Sequence, residues 1–291
     1  VTPLMLATLT GSADVQRLLD GNADVKASDN DGDTALLWAV RLGKIDCVQP
    51  LIEAKAELEV SDGRSHSTSL IWAARRGKPE FAQLLLNAKA DIEAKGAGGD
   101  TALNTAAAMG RTECLELLID AQADLEAGSN QGDTALILAA SEGHKQCVEL
   151  LIAAKAVIGA RNEIDDTALL LAAWYGRTAC VEVLLEAKSD IETKDSDGRT
   201  ALMLSASQDR IECLAFLIDA KADITAQDND GHTALMLAAA YGEAIDCVKL
   251  IVKASSIAAQ RPERKRRRTN DASPPRDKRQ QRRCTSDNDV S

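Results

Sequence analysis

A chain of 291 residues can hold one or two ordinary domains, but two Phe, two Tyr and three Trp supply little large apolar surface with which to anchor a single globular core. The net charge of −11 is unevenly placed: residues 1–260 carry 23 Lys and Arg against 40 Asp and Glu, a net of −17, and residues 261–291 carry 11 against 5, a net of +6. The acidic body argues against wrapping nucleic acid, whose binding depends on neutralised phosphates, and no apolar run approaches the roughly 20 residues of a membrane helix.

In chain order, Thr2-Pro3-Leu4 opens a unit that is one residue short, and Thr34 and Thr68 open the next two with a one-residue insertion between them. A Thr-Ala-Leu opening then returns at Thr101, Thr134, Thr167, Thr200 and Thr233, each 33 residues after the last. Self-similarity at a fixed period of this length predicts a stacked-repeat solenoid. In each tile the stretch from Thr to the residue before Gly reads as a first helix, with Thr as its N-cap. Gly11, Gly43, Gly77, Gly110, Gly143, Gly176 and Gly242 stand where a helix stops in left-handed geometry. A second helix follows, as in Cys147-Val148-Glu149-Leu150-Leu151-Ile152. Both helices are shorter than the roughly 12–15 residues needed for stability alone in water, so neighbouring tiles must cover them. Turns such as Asp29-Asn30-Asp31-Gly32, Asp195-Ser196-Asp197-Gly198 and Asp228-Asn229-Asp230-Gly231 separate the tiles. Their Asp spacing suggests a calcium loop, but the downstream Glu ligand at the required offset is missing.

The Thr2-Pro3-Leu4-Met5-Leu6-Ala7 box, the later Thr-Ala-Leu boxes, the Gly nine residues after each Thr and the Ala-Asp-Ile/Leu/Val ends resemble ankyrin repeats over about 260 residues. The resemblance implies an all-α solenoid of eight helix-turn-helix tiles with hairpin fingers, at about 1–32, 33–66, 67–99, 100–132, 133–165, 166–198, 199–231 and 232–260. It also implies a non-enzymatic, monomeric scaffold that binds another protein on its concave face. The His usual in this family's opening box is absent; Met5, Leu37, Ile71, Asn104, Ile137, Leu170, Met203 and Met236 stand there, so packing is expected to replace its hydrogen bonds. Asp209 replaces the helix-ending Gly of the seventh tile, and Pro50 falls inside a second helix, where proline can cost about 3 kcal/mol. Together with a deletion assigned near Val15, Pro50 makes the N-terminal tiles the expected soft end.

Six cysteines, Cys47, Cys114, Cys147, Cys180, Cys213 and Cys247, share one slot of successive tiles, filled by Phe81 in the third. Helices pack roughly 8–10 Å apart, beyond the reach of a disulfide, so these are expected to be buried free thiols of a reducing compartment. His66, His144 and His232 lie in three different tiles and are read as exposed surface residues. No nucleophile signature, phosphate-cradling loop or paired-Cys zinc spacing appears, so no catalytic residue, metal or cofactor is expected.

The two positions before each helix-ending Gly differ most between tiles, which points to contact and not to packing. Arg41, Arg75, Arg76, Met109, Trp174, Tyr175 and Tyr241 are the candidate partner-binding residues, with Trp174-Tyr175 as the anchor because Trp, Tyr and Arg dominate interface energetics. Trp38 and Trp72 occupy the Leu138-equivalent position and are read as core. From 261 the repeat stops, and low apolar content with high charge predicts a disordered basic tail. Arg264, Lys265, Arg266, Arg267 and Arg268, followed by Arg276, Lys278, Arg279, Arg282 and Arg283, resemble a bipartite nuclear-localisation signal read by import machinery. Ser273-Pro274 resembles a proline-directed phosphorylation site, and Thr269 and Thr285 resemble basophilic ones. With no signal peptide visible at Val1, the expected location is cytoplasmic, nuclear or both. Two alternatives stand beside the scaffold: a protein contacting DNA or RNA through the basic tail, and a recruiting segment of a larger enzyme.

Overall fold

In seven of the eight tiles the opening threonine's side-chain oxygen accepts the N–H three residues on. Thr34, Thr68, Thr101, Thr134 and Thr167 cap Leu37, Ile71, Asn104, Ile137 and Leu170 at 3.3–3.4 Å. Thr200 alone makes no such bond, and its buried hydroxyl has no partner. The computed structural model describes residues 1–240 and 244–270, with side chains of the last helix described as far as Ile257. Among these residues there are sixteen helices in eight pairs and no extended strand, only the isolated bridges Ser28–Thr34 and Lys194–Thr200 at finger bases.

The first helices of successive tiles are α1 (Pro3–Thr10), α3 (Ala35–Leu42), α5 (Ser69–Arg76), α7 (Ala102–Ala108), α9 (Ala135–Glu142), α11 (Ala168–Trp174), α13 (Ala201–Ser207) and α15 (Ala234–Ala240). The second helices are α2 (Ser12–Asp20), α4 (Ile45–Glu53), α6 (Pro79–Asn87), α8 (Thr112–Asp120), α10 (Lys145–Ala153), α12 (Thr178–Glu186), α14 (Ile211–Asp219) and α16 (Ile245–Asn270). First helices pack on first helices in chain order, second helices from α2 to α14 on second helices, and each of the first seven pairs packs internally. The core is therefore a continuous layer. Alanines 139, 140, 172, 173 and 206 let the first helices approach, and Leu118, Leu151, Leu184 and Leu217 fill the space between rows. The compact unit spans Val1–Ile251 and a second unit begins at Val252. Helix α16 continues through Arg264–Arg268, so those residues of the basic segment are helical in backbone.

Most corners form as expected. Gly43, Gly77 and Gly143 cap their helices in left-handed geometry, and Asp209 adopts the same region at φ 54°. Gly77, Gly143 and Gly176 are also fixed by a neighbour: a Cβ there would meet the Cδ of Arg111, Arg177 or Arg210 at 2.7–2.8 Å. In the first tile the missing residue is not near Val15. It is the residue after the corner glycine, because Gly11 alone joins α1 to α2 and ends one helix while starting the next.

The second helices end on a feature with no glycine. Lys55, Lys89, Gln122, Lys155, Lys188 and Lys221 all hold φ between 64° and 75°. After α4, Lys55 N–H bonds the Ile52 carbonyl at 2.9 Å and Ala56 N–H bonds Leu51 at 3.0 Å, the paired closure of a Schellman turn. These non-glycine residues in the left-handed region are strained by roughly 1–2 kcal/mol each.

Candidate partner-binding face

Fingers are stitched tip to tip by backbone. Gly63 N–H bonds Asp31 at 2.7 Å, Ala97 bonds Ser65 at 3.0 Å, Asn130 bonds Gly98 at 2.8 Å, Glu163 bonds Gln131 at 2.9 Å and Asn229 bonds Asp197 at 3.0 Å. A second polar register lies behind them. The carboxylates of Glu59, Glu93, Glu126 and Glu192 accept the backbone N–H of Asp91, Asp124, Val157 and Asp223 in the following tile at 2.7–2.8 Å. Part of the acidic surface is thus structural and not only solubilising. A third register runs the other way: Arg111, Arg177 and Arg210 donate to the carbonyls of Arg75, Ser141 and Trp174, 36 residues earlier. His144 occupies the same slot, its Nε2 lying 3.1 Å from the Ala108 carbonyl. It is a half-buried bracing residue, which corrects its reading as an exposed one.

The opening-box position also needs one correction. Packing fills it in most tiles, but Asn104 is buried and its Nδ2 donates to the Ala127 carbonyl at 2.9 Å, reaching the next finger.

Trp38 and Trp72 are not core. Both are half-buried, and each ring N–H donates to a finger carboxylate, Trp38 to Asp29 at 3.2 Å and Trp72 to Asp62 at 2.8 Å. Leu138 itself is only half-buried, so the position they share was never fully enclosed. They line a cleft of about 490 Å³ between the second and third tiles, together with Asp29, Asp31, Asp33, Arg41, Asp62, Arg64 and Arg75. The guanidinium carbons of Arg41, Arg75 and Arg76 lie 5.2, 5.0 and 5.8 Å from the Trp72 ring centre, within cation–π range. Arg41 also pairs with the buried Asp33. Burial pushes the Asp33 carboxyl above the usual range even though Arg41 opposes it. Burial acts on Asp62 the same way, but hydrogen bonds from Ser65, Trp72 and Arg64 outweigh it and hold Asp62 below that range.

Of the seven candidate contact residues, Arg41, Arg75 and Arg76 thus converge on one ring. Met109 stands apart at 46% exposed and Tyr175 at 48% exposed, each at the end of a first helix. Trp174 is half-buried beneath Arg199, whose guanidinium carbon lies 5.8 Å from the ring centre, and Arg199 is held by Asp195 and Asp197 at 2.8 Å each. Tyr241 lies outside the described residues, as do Ser273, Arg276, Lys278, Arg279, Arg282, Arg283 and Thr285. The side chains of Arg264, Lys265, Arg266, Arg267, Arg268 and Thr269 are likewise outside them.

Burial raises the thiols of Cys114, Cys147 and Cys180 to about 11. Burial, aided by Asp209, raises that of Cys247 to about 12. All six cysteines of the shared slot are buried and free, as the tile spacing requires. Among the described residues no group of His, Cys, Asp and Glu could hold a metal ion, and no helix is long and apolar enough to cross a membrane.

A family model described as ankyrin repeats (3 copies) matches residues 1–62, 56–129, 126–195 and 169–261. Among solved structures the chain is similar to the ankyrin repeat domain of Bcl-3, described as a unique member of the IkappaB protein family. The two are 27% identical with a TM-score of 0.64, and the match covers 70% of this chain and 93% of that one. No curated protein matches the chain. The matched residues run through all eight tiles and the fingers between them, so the chain belongs to the ankyrin repeat family.

Proposed function

We propose that the chain is a non-enzymatic interaction module that binds a partner protein on the face made by the finger bases and the C-terminal ends of the first helices. One observation carries this reading. Packing positions repeat from tile to tile, whereas the positions ahead of each corner diverge and hold Tyr175, Met109 and the arginines gathered on Trp72. Ankyrin repeats in general serve as protein–protein interaction modules, which supports the same reading without naming a partner. Exposed aromatic and Arg side chains on a rigid scaffold lose little entropy on binding. Affinity capture with the intact chain, repeated with Trp174→Ala and Tyr175→Ala combined, tests it. At least one captured protein should be lost from the double variant; an unchanged set removes the anchor.

The basic segment supports a second part of the proposal, nuclear import through Arg264–Arg268 and the cluster from Arg276. A fluorescent fusion should lose nuclear enrichment when residues 261–291 are removed. If the truncation instead abolishes a salt-dependent association with DNA and leaves enrichment intact, the segment is a nucleic-acid contact.

A further inference from the structure

Positive charge gathers at one corner of the array. Between Gly63 and Pro79 the chain carries Arg64, Arg75, Arg76 and Lys78 and no Asp or Glu, although residues 1–260 together are net negative. Arg75 and Arg76 end α5 with their guanidinium carbons 5.0 and 5.8 Å from the Trp72 ring centre. Arg111 brings a third guanidinium to the same corner, its Nε donating to the Arg75 carbonyl at 3.3 Å. Cations suit a helix C-terminus, but tiles four to seven close this corner with no arginine at the two positions, so the fold does not require them. The carboxylates of the adjoining cleft are already engaged. Asp29 accepts the Trp38 ring N–H at 3.2 Å, and Asp62 accepts the Ser65 N–H at 2.6 Å and the Trp72 ring N–H at 2.8 Å. Asp33 pairs with Arg41, and Asp31 with Arg64 at 3.5 Å. Arg75 and Arg76 are the exceptions. Among the described residues neither has a carboxylate partner or a side-chain hydrogen bond, and the Arg75 Nε is buried without one. Burial raises the Asp100 carboxyl, and Arg75 opposes that rise only through space.

We propose that the end of α5 and the cleft beside it seat an acidic segment of a partner protein, with carboxylates meeting Arg75 and Arg76 and an adjacent large apolar side chain entering the cleft against Leu42 and Trp38. A guanidinium stacked on an indole uses its face and keeps its in-plane N–H donors for a carboxylate. Charge-assisted pairs of that kind are roughly twice as strong as neutral hydrogen bonds. The cleft, about 490 Å³, has the size of a ligand pocket. Its wall offers Leu42, 45% exposed, beside the half-buried Trp38 and Trp72. Salt screens exposed charges beyond about 8 Å under physiological conditions, close to the roughly 8–10 Å between neighbouring helices. Distant acidic tiles therefore oppose the segment weakly, while the unpaired arginines act on it directly. A segment shifted along the array meets carboxylates instead, which fixes its place.

This inference rests on the partner-binding face proposed above and adds the chemistry of its ligand. The test selects a displayed library of random 12-residue peptides on the full chain. Enriched sequences should carry Asp or Glu beside Phe, Leu, Ile or Trp. The most enriched peptide, labelled and followed by fluorescence anisotropy, should bind the Arg75→Gln, Arg76→Gln double variant at least tenfold more weakly, with the variant's circular dichroism unchanged. Arg76 is exposed, so Arg76→Gln alone leaves the fold intact and should weaken binding about threefold. Absence of enriched peptides, enrichment without the acidic and apolar pair, or affinity that survives both variants overturns the proposal. Survival in both would place the peptide on the chain's basic segment, which the variants leave unchanged. A sedimentation mass above one chain that the double variant returns to one chain would assign the site to a second copy and also overturn it. A captured partner lost on changing Trp174 and Tyr175 but kept in the Gln double variant would leave the face standing and remove this ligand.

Discussion

Asp166→Asn should stabilise the array at neutral pH. Burial is the largest cause of its raised carboxyl; Asp195, Asp133 and Asp197 add to it, Arg199 opposes them, and the result is about 6. In the unfolded chain the group titrates near 3.9. Because the folded value is the higher one, ionisation costs stability above about pH 6, and that cost fades as pH falls through 6 toward 4. Two units correspond to about 3 kcal/mol at most. The side chain is only partly buried and water screens it, so about 1 kcal/mol is the working figure. Urea unfolding followed by circular dichroism should place the Asn variant above the parent by about that amount at pH 7.5, with the difference shrinking at pH 4. An Asn variant that is weaker at pH 7.5, or a gap equal at both pH values, would refute the electrostatic reasoning.

Lys155→Gly relieves a left-handed residue at φ 72° and should add about 1 kcal/mol, read from the urea midpoint; a loss would mean that the lysine side chain holds the turn. Pro50→Ala restores a backbone donor inside α4 and should slow hydrogen exchange across the first two tiles, which in the parent open before tiles four to six; uniform protection along the parent array would contradict this. The six buried thiols, four of them at about 11 or 12, should resist a thiol reagent at pH 8 until the chain is unfolded, and prompt labelling of any of the six would place it outside the core. Leu151→Ala should cost about 2–5 kcal/mol by opening a cavity between α10 and its neighbours, measured by the same unfolding assay.

The fold was legible because its determinants recur in one register. Thr134 and its equivalents, the corner glycines and the shared cysteine slot each repeat at the tile period, so one tile explains the rest. The polar contacts between tiles were not legible, although they repeat as faithfully. Glu93 meets Asp124 31 residues on, and Arg111 meets Arg75 36 residues back; in one dimension both look like solvated charge. Offsets a few residues either side of 33 are the signal that would have revealed them. Trp38 and Trp72 were misplaced for a related reason. Their slot is leucine in five other tiles and Thr105 in the fourth, and only the fingers' Asp29 and Asp62 show that an indole N–H is served there. The turns after the second helices carry no glycine to mark left-handed geometry, so nothing in the sequence sets Lys55 and its equivalents apart from other surface lysines.

The central claim is that partners dock on the finger and first-helix side. Hydrogen exchange of the intact chain with a captured partner, compared with the free chain, tests it most directly. The account predicts protection at the ends of α3, α5 and α11, around Arg41, Arg75, Arg76 and Tyr175, with Gln83, Glu116 and Glu149 on the outer second helices unchanged. Protection confined to those second helices would contradict it.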